Sequence, residues 1–468
     1  MKPFAISLVT VVLAAGCATV PRDSGVADVQ REIALRTNQN VEIRRAAPGT
    51  DDPRIQALMQ GELDADKAVA IALMNNPRVQ VALADLGIAR ADLLEASTIR
   101  NPIFGAEMRF PAAPSRPYEL SITQSLIDLI QLPRRRAAGR LAFEAATFRV
   151  SSEVFAIAAD VRAGFYELLA ATQHLAMDRA TVESARAAAE IAQRQHDAGN
   201  ITDLDLENQQ AMYEQAKLDL ARSEEESLLR RETLIRAMGL RSAAVDWKIP
   251  ENFPAAPQAE ATDHGVQQML AARRLDIAAA QREVEALRRL LPAARVSAIG
   301  DIDVDVHRQH DPDGTTSTGP GIDVPIPIFN RGAAARARAE AKLLRAEQQL
   351  ASLTASASSE ARSARQALLA ARSRVEYYRE VVLPRRKRIV DLTQLEHNAM
   401  LVGIFQLLQA KQNELDAQRD SIDAQRDYWV ARTNFERALS GVDSGEGRGF
   451  MPATTQSQGK PAERGGGH

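Results

Sequence analysis

The chain has 468 residues, room for about two or three domains, with 58 basic and 61 acidic side chains and a net charge of −3. That balance, without a basic stretch dense enough to track phosphates, excludes a nucleic-acid partner. Aromatic residues make up 4% and alanine is abundant, which favours close-packed helices over a bulky aromatic core.

Lys2 and the apolar run Phe4–Ala15 read as a signal peptide, too short to span a membrane. Cys17 is the only cysteine, so no internal disulfide can form. The stretch Leu13-Ala14-Ala15-Gly16-Cys17 resembles a bacterial lipoprotein signal. That resemblance implies a signal peptide over residues 1–17, Cys17 as the lipidated first residue, and, because Ala18 follows, delivery to the outer membrane. An ordinary cleaved signal is the alternative.

Residues 18–60 are polar, with Pro21, Pro48, Gly49 and Pro53, and read as a linker. A helix capped by Asp64 or Asp66 follows, and Pro77 divides it in two. Asn101-Pro102 ends it. Phe104, Ala106, Met108 and Phe110 then alternate with Glu107 and Arg109, and Leu120 and Ile122 with Glu119, Ser121 and Thr123. Strands are expected near 103–110 and 118–130. Pro133 opens the next helix. No proline interrupts Arg134 to His196, which allows about 90–100 Å of helix. Asp197-Ala198-Gly199-Asn200 turns the chain and a second helix runs from Asp203 to Met238, giving a hairpin over 134–239.

Pro250, Pro254 and Pro257 mark a linker at 248–262, and the order then repeats. A helix stops at Pro292. Strands are expected near 295–307 and 319–329, around the turn Asp311-Pro312-Asp313-Gly314. A second hairpin over 332–439 turns at Gly403. In that hairpin Leu343, Ala346, Leu350, Leu353, Ala357, Ala361, Ala364, Leu368 and Ala371 form a heptad-like seam, and Pro384 should kink or break the helix. Residues 441–468 read as a disordered tail. The chain thus divides into repeats over 61–247 and 263–440, roughly 200 residues apart, the spacing of a duplicated domain.

Asp301, Asp303 and Asp305 share one strand face, and Ile302, Val304 and Val306 the other. A barrel lining water accommodates such carboxylates, together with Glu107 and Arg109, and an antiparallel sheet with one solvated face looks similar locally. No later segment is apolar enough for a membrane helix, so any crossing must use strands. Four strands cannot close a barrel and open edges cannot face lipid. Two copies would give a narrow, filled pore; three would give about twelve strands and room for a channel.

The order helix, strand pair, long helix, turn, helix, given twice, resembles the TolC family of outer-membrane efflux proteins. Asn75-Asn76-Pro77-Arg78-Val79 with Gly87-Ile88-Ala89-Arg90-Ala91-Asp92 is similar to the family's first helical region. Pro325-Ile326-Pro327-Ile328-Phe329-Asn330-Arg331-Gly332 is similar to its second strand-to-helix junction. Met400 to Gly403, Phe405-Gln406-Leu407-Leu408-Gln409-Ala410 and Asp427-Tyr428-Trp429-Val430-Ala431-Arg432 are similar to its last hairpin. The likeness covers roughly residues 62–440. It implies a mainly α fold with a small β part: long coiled-coil hairpins plus four membrane strands per chain, assembled as a trimeric α/β-barrel. It also implies a homotrimer in outer-membrane lipid, acting with a periplasmic adaptor and an inner-membrane transporter, as the passive exit duct of a tripartite efflux pump or secretion system.

The resemblance further implies a constriction near the hairpin turns. Asp203, Asp205 and Glu207 could form threefold rings attracting cations; helix capping is the alternative. Gln406 and Gln409 stand where well-known members carry acids, so a neutral polar constriction is equally open. Gly199, Asn200, Val402, Gly403 and Ile404 would meet the adaptor. Leu401, Val402, Ile404 and Phe405 suit either that contact or self-packing. His307 and His310 beside Asp311 and Asp313 read as an exposed interstrand loop in preference to a metal site. No phosphate-binding loop, Gly-x-Ser-x-Gly or HExxH is present, so no enzyme activity or cofactor is expected. The competing function is a non-conducting, lipid-anchored periplasmic spacer with an ordinary sheet. Its sheet would need a helix covering Phe104, Met108, Ile302, Val304, Ile322 and Val324.

Overall fold

A computed structural model describes residues 25–37, 43, 52–110, 116–240, 247–296, 300, 302–326, 328 and 331–442. Cys17, Asp301 and the tail from residue 443 lie outside the described residues.

Residues 18–60 are not simply a linker. They contain α1 (Val26–Thr37) and α2 (Pro53–Met59). Val26, Val29 and Ile33 place one buried stripe on α1, hidden in a segment that is polar on average. Asp52 caps α2, accepting from Arg54 N at 2.8 Å. Then come α3 (Ala65–Asn75), capped by Asp64, and α4 (Pro77–Ser97), capped by Asn76 with Pro77 in its first turn. Asn75 Nδ2 donates to Gly239 O at 2.7 Å and Asn76 Nδ2 to Ala237 O at 2.6 Å. These bonds tie the beginning of the first repeat to its end. Gly239, at φ 74, has no room for a Cβ, which would fall 2.6 Å from Asn75 O.

Strands β1 (Ile103–Met108) and β2 (Tyr118–Ser125) lead into α5 (Leu126–Asp197), a helix of 72 residues and about 108 Å. It starts eight residues before the expected Arg134 and includes Pro133. Leu126, Ile127, Leu129 and Ile130 therefore belong to a helix, not to a strand reaching 130. Asp128 in its first turn suits the positive end of the helix dipole. After α6 (Asp203–Ala237) come α7 (Asp263–Arg273) and α8 (Leu275–Val296). Pro292 does not stop α8. Its packing along α5, through Arg149–Glu283 and Arg282–Glu144, holds the helix across the missing N–H donor. The next strand consequently starts at Asp303, not near 295.

The β3 (Asp303–His310) and β4 (Thr316–Asp323) hairpin completes one antiparallel sheet in the order β1-β2-β3-β4. β4 starts and ends earlier than the expected 319–329, because its partner strand begins at Asp303 and its register pairs Asp303 with Asp323. His307 and His310 lie within β3, not in a loop.

The second hairpin is α9 (Ala333–Tyr377), a π-helical turn (Tyr378–Val382), α10 (Leu383–Asn398) and α11 (Ile404–Ser440). Pro384 neither breaks nor ends the helix. The π turn lets Leu383 N–H reach Tyr378 O, so the missing Pro384 donor falls in the first turn of α10. The expected seam is buried at Ala346, Ala357, Ala361, Leu368 and Ala371.

Two cores hold these elements. One gathers Val29, Leu73, Leu83, Leu86, Val161, Leu168 and Trp247; the other gathers Val266, Leu368, Tyr428, Phe435 and Leu439.

Candidate functional site

Register fixes which strand residues share a face. One side of the sheet carries Glu107, Glu119, Gln309 and Ser317 in one rank, and Gly105, Ser121, His307 and Gly319 in the next. Ile103, Thr123, Asp305 and Gly321 follow, then Ser125, Asp303 and Asp323. It is a polar wall with five carboxylates. Arg109, just beyond β1, reaches back to this side: its Nε donates to Glu107 Oε1 at 2.9 Å and its Nη2 to Glu119 Oε2 at 3.5 Å. The Arg109 cation offsets the two like charges that face each other across β1 and β2. Asp305 pairs with His307 Nδ1 at 3.0 Å and lies over Gly321, where a side chain would collide with it. The structure thus brings Glu107, Arg109, Asp303 and Asp305 to one surface.

The opposite side is apolar at its centre, with Phe104, Ile122, Val306 and Pro320 in register. Phe104 is 67% exposed and Ile122 55%. No described helix covers them. Among the described residues β1 and β4 each have a free edge. An apolar face and two open edges in one small sheet call for further copies and for lipid.

At the other end, the two hairpin turns are built alike. Ala198 N bonds Arg194 O, Gly199 N bonds His196 O, and Asn200 N bonds Gln195 O. The same set recurs at Ala399–Leu395, Met400–His397 and Leu401–Glu396. The left-handed position is Gly199 (φ 77) in one turn and Met400 (φ 60) in the other. Met400 is the one described non-glycine residue with positive φ, and it is 94% exposed. Met400→Gly is expected to stabilise the turn by about 1 kcal/mol, read as slower hydrogen exchange at Ala399–Val402. Faster exchange would refute the strain.

The acidic candidates near these turns have structural partners. Asp205 forms a capping box with Thr202, accepting from its hydroxyl at 2.8 Å and its N–H at 3.2 Å. Asp203 pairs with His196 Nε2 at 2.6 Å. Glu207 is exposed. Gln406 and Gln409 are also exposed; Gln406 Oε1 accepts from Gly403 N at 3.2 Å and Gln409 Nε2 bonds Asn413 at 3.4 Å. Ile404 and Phe405, with Leu408, line a small cleft against Ala188, Ile191 and Ala192 of α5, so they turn toward the first hairpin. Leu401 projects outward, Val402 is half-buried, and Gly199, Asn200 and Gly403 are exposed.

The Asp203 carboxylate raises the His196 imidazole pKa above its usual 6.5. A raised folded value means the contact contributes fully below the unfolded value of about 6.5 and is lost as pH rises through the folded one. Histidine-selective NMR should show His196 titrating above 6.5, and Asp203→Asn should return it toward the usual value. An unchanged titration in that variant would remove Asp203 as the cause.

Sequence reasoning missed the polar seam joining the two hairpins. Asp178, 2% exposed on α5, accepts from Ser223 of α6 and Arg419 of α11. His174 pairs with Asp423 at 3.1 Å, Arg162 with Glu436 at 3.0 Å and Arg437 with Asp160 at 2.5 Å. Arg419, Asp423 and Arg426 recur at spacings of four and three on α11, a signal that marks a face but not its partners.

Residues 68–240 and 266–441 match the model of the outer membrane efflux protein family. The chain belongs to the outer membrane efflux protein family. The fold of this outer membrane efflux protein is similar to that of the Campylobacter jejuni CmeC outer membrane channel, with a TM-score of 0.70 at 14% identity over 89% of this chain and 93% of that one. The outer membrane protein VceC of Vibrio cholerae gives 0.67 at 17% identity, over 81% of this chain and 96% of that one. A membrane protein from Pseudomonas aeruginosa gives 0.68 at 20% identity, over 80% and 92%. No curated protein sequence matches significantly. The mainly helical fold with long hairpins and, among the described residues, four strands is similar to that of these channels. Family membership makes this outer membrane efflux protein a transport channel of the outer membrane, not an enzyme, with its helical body in the periplasm.

Proposed function

We propose that three copies close into one outer-membrane duct that gives passive exit to the substrates of a tripartite pump or secretion system. The observation carrying this reading is the sheet: an exposed apolar face, a carboxylate-rich opposite face and free edges at β1 and β4. Pairing β1 of one copy with β4 of the next leaves no edge, and three copies supply about twelve strands, enough for a water-filled lumen. Glu107, Arg109, Asp303 and Asp305 then line the lumen.

The turns at Gly199-Asn200 and Val402-Gly403-Ile404 are the ends that would meet a periplasmic adaptor, with Leu401 beside them. Asp203, Asp205, Glu207, Gln406 and Gln409 would ring the periplasmic entrance; the pairing of Asp203 with His196 and the capping contacts of Asp205 and Gln406 leave Glu207 and Gln409 as the better ring candidates. Energy coupling would come from an inner-membrane transporter, and a lipid on Cys17 would add an anchor.

Single-channel conductance in a planar bilayer, with the detergent-solubilised mass measured alongside, tests the duct. A trimeric mass with discrete conductance is expected. A monomer that never inserts would sink the reading. Mass spectrometry of the mature N-terminal peptide tests the Cys17 lipid, which should add a diacylglyceryl and an acyl group; an unmodified or absent Cys17 rules it out.

A further inference from the structure

The membrane-facing side of the sheet changes character along its height. Nearest the helices it carries Gln124, Val304 and Ile322, then Phe104, Ile122, Val306 and Pro320. The next rank outward is Ala106, Leu120, Arg308 and Thr318, and the last is Met108, Tyr118, His310 and Thr316. Arg308 is exposed, and among the described residues it makes no ion pair or hydrogen bond through its side chain. No strand residue on this side is a carboxylate. A lone guanidinium on a lipid-facing side is costly at mid-bilayer and nearly free at the interface, so its rank marks the headgroup boundary. The neighbouring rank agrees. Tyr118 stacks on His310 with ring centroids 5.2 Å apart and planes 24° from parallel, an aromatic pair of the kind that sits at that boundary. His310 Nδ1 is held by the Thr316 hydroxyl at 2.9 Å, which fixes the ring beside the guanidinium rank.

We propose that Arg308, flanked by Tyr118 and His310, binds the phosphate of a phosphorylated glycolipid in the outer leaflet. This rests on the outer-membrane channel reading. The helices occupy the periplasmic side, so the ranks farthest from them lie in the outer leaflet. The guanidinium is planar and presents paired N–H donors that match phosphate oxygens, and among the described residues no acceptor competes for them. The anion comes from lipid because this side faces hydrocarbon, whereas dissolved phosphate stays in the lumen and the bulk. Each trimer would carry three such sites.

The test is native mass spectrometry of the full-length trimer titrated with diphosphorylated lipid A, its dephosphorylated form and phosphatidylglycerol. The phosphorylated glycolipid should be retained at least about tenfold more tightly than the dephosphorylated one. Arg308→Gln should abolish that preference and Arg308→Lys should keep part of it. Equal retention of the two glycolipids overturns the proposal, as does an unchanged preference in Arg308→Gln. Equal competition by phosphatidylglycerol overturns it too, because any anionic lipid would then serve. The two-glycolipid comparison on the unaltered protein stands even if Arg308→Gln does not assemble. A conducting trimer indifferent to phosphate sinks this site alone, whereas a protein that neither inserts nor conducts sinks the channel reading.

Discussion

Replacing Ile122 with arginine is expected to stop this protein from assembling in the membrane, while replacing its neighbour Thr123 with arginine leaves assembly intact. Ile122 sits between Phe104 and Val306 in the central apolar rank, and Thr123 sits between Ile103 and Asp305 on the polar side. An arginine facing lipid costs about 2–4 kcal/mol per copy at mid-bilayer and about 0–1 at the interface, so one rank inside Arg308 each of three copies bears an intermediate cost and the three add. At Thr123 the same side chain would meet Asp305 and water, so only conductance and ion preference should change. Detergent-solubilised mass and bilayer conductance read both effects. If the two variants assemble equally well, the sheet does not have one face in lipid and the other in a lumen.

Glu260→Ala should produce a large loss of stability in the helical body. Glu260 lies between α6 and α7, its side chain only 7% exposed. It accepts from the Tyr428 hydroxyl at 2.6 Å and from Arg432 at 3.1 and 3.2 Å, with Arg372 at 3.7 Å. Burial, and then the Glu260 carboxylate, push the Tyr428 hydroxyl up to about 12, so it stays a donor across the physiological range. Arg365 Nε to Ala261 O at 2.9 Å and Arg372 Nη2 to Gln258 O at 3.0 Å fasten the same segment to α9. Truncating the carboxylate leaves the buried Tyr428 hydroxyl without its acceptor and takes from Arg432 its nearest partner, while Arg372 keeps Glu376 and Gln258 and Arg432 keeps Glu436, a loss of about 1–3 kcal/mol. Glu260→Gln keeps an acceptor for Tyr428 and should cost less. Thermal unfolding followed by circular dichroism checks both; equal midpoints for Glu260→Ala and the unaltered protein would show that the segment is held by its backbone contacts alone.

Periodicity made the hairpins and the two-sided strands legible. Gly199, Gly239 and Gly403 marked turns and ends because the chain there needs a left-handed residue, a close approach or an open N-cap. Proline was the poorer guide. Pro133 and Pro292 lie inside helices, and Pro384 is absorbed by a π turn, because neighbouring helices hold the backbone across a lost donor. The helix Val26–Thr37 was hidden because three apolar residues suffice when a ready-made groove receives them.

For the candidate site, the sequence by itself determined that Glu107, Asp303 and Asp305 oppose an apolar stripe, since strand side chains alternate whatever the strand packs against. It also determined the number of strands per chain, and hence the need for further copies. Only the tertiary structure decided that Asp203 and Asp205 are engaged by His196 and Thr202, that Ile404 and Phe405 turn inward while Met400 and Leu401 project, and that Asp178 joins three helices. Those facts depend on which helices become neighbours and at what height. A repeating pattern of apolar residues sets the face that a helix buries, but not the charged side chain that will stand opposite it.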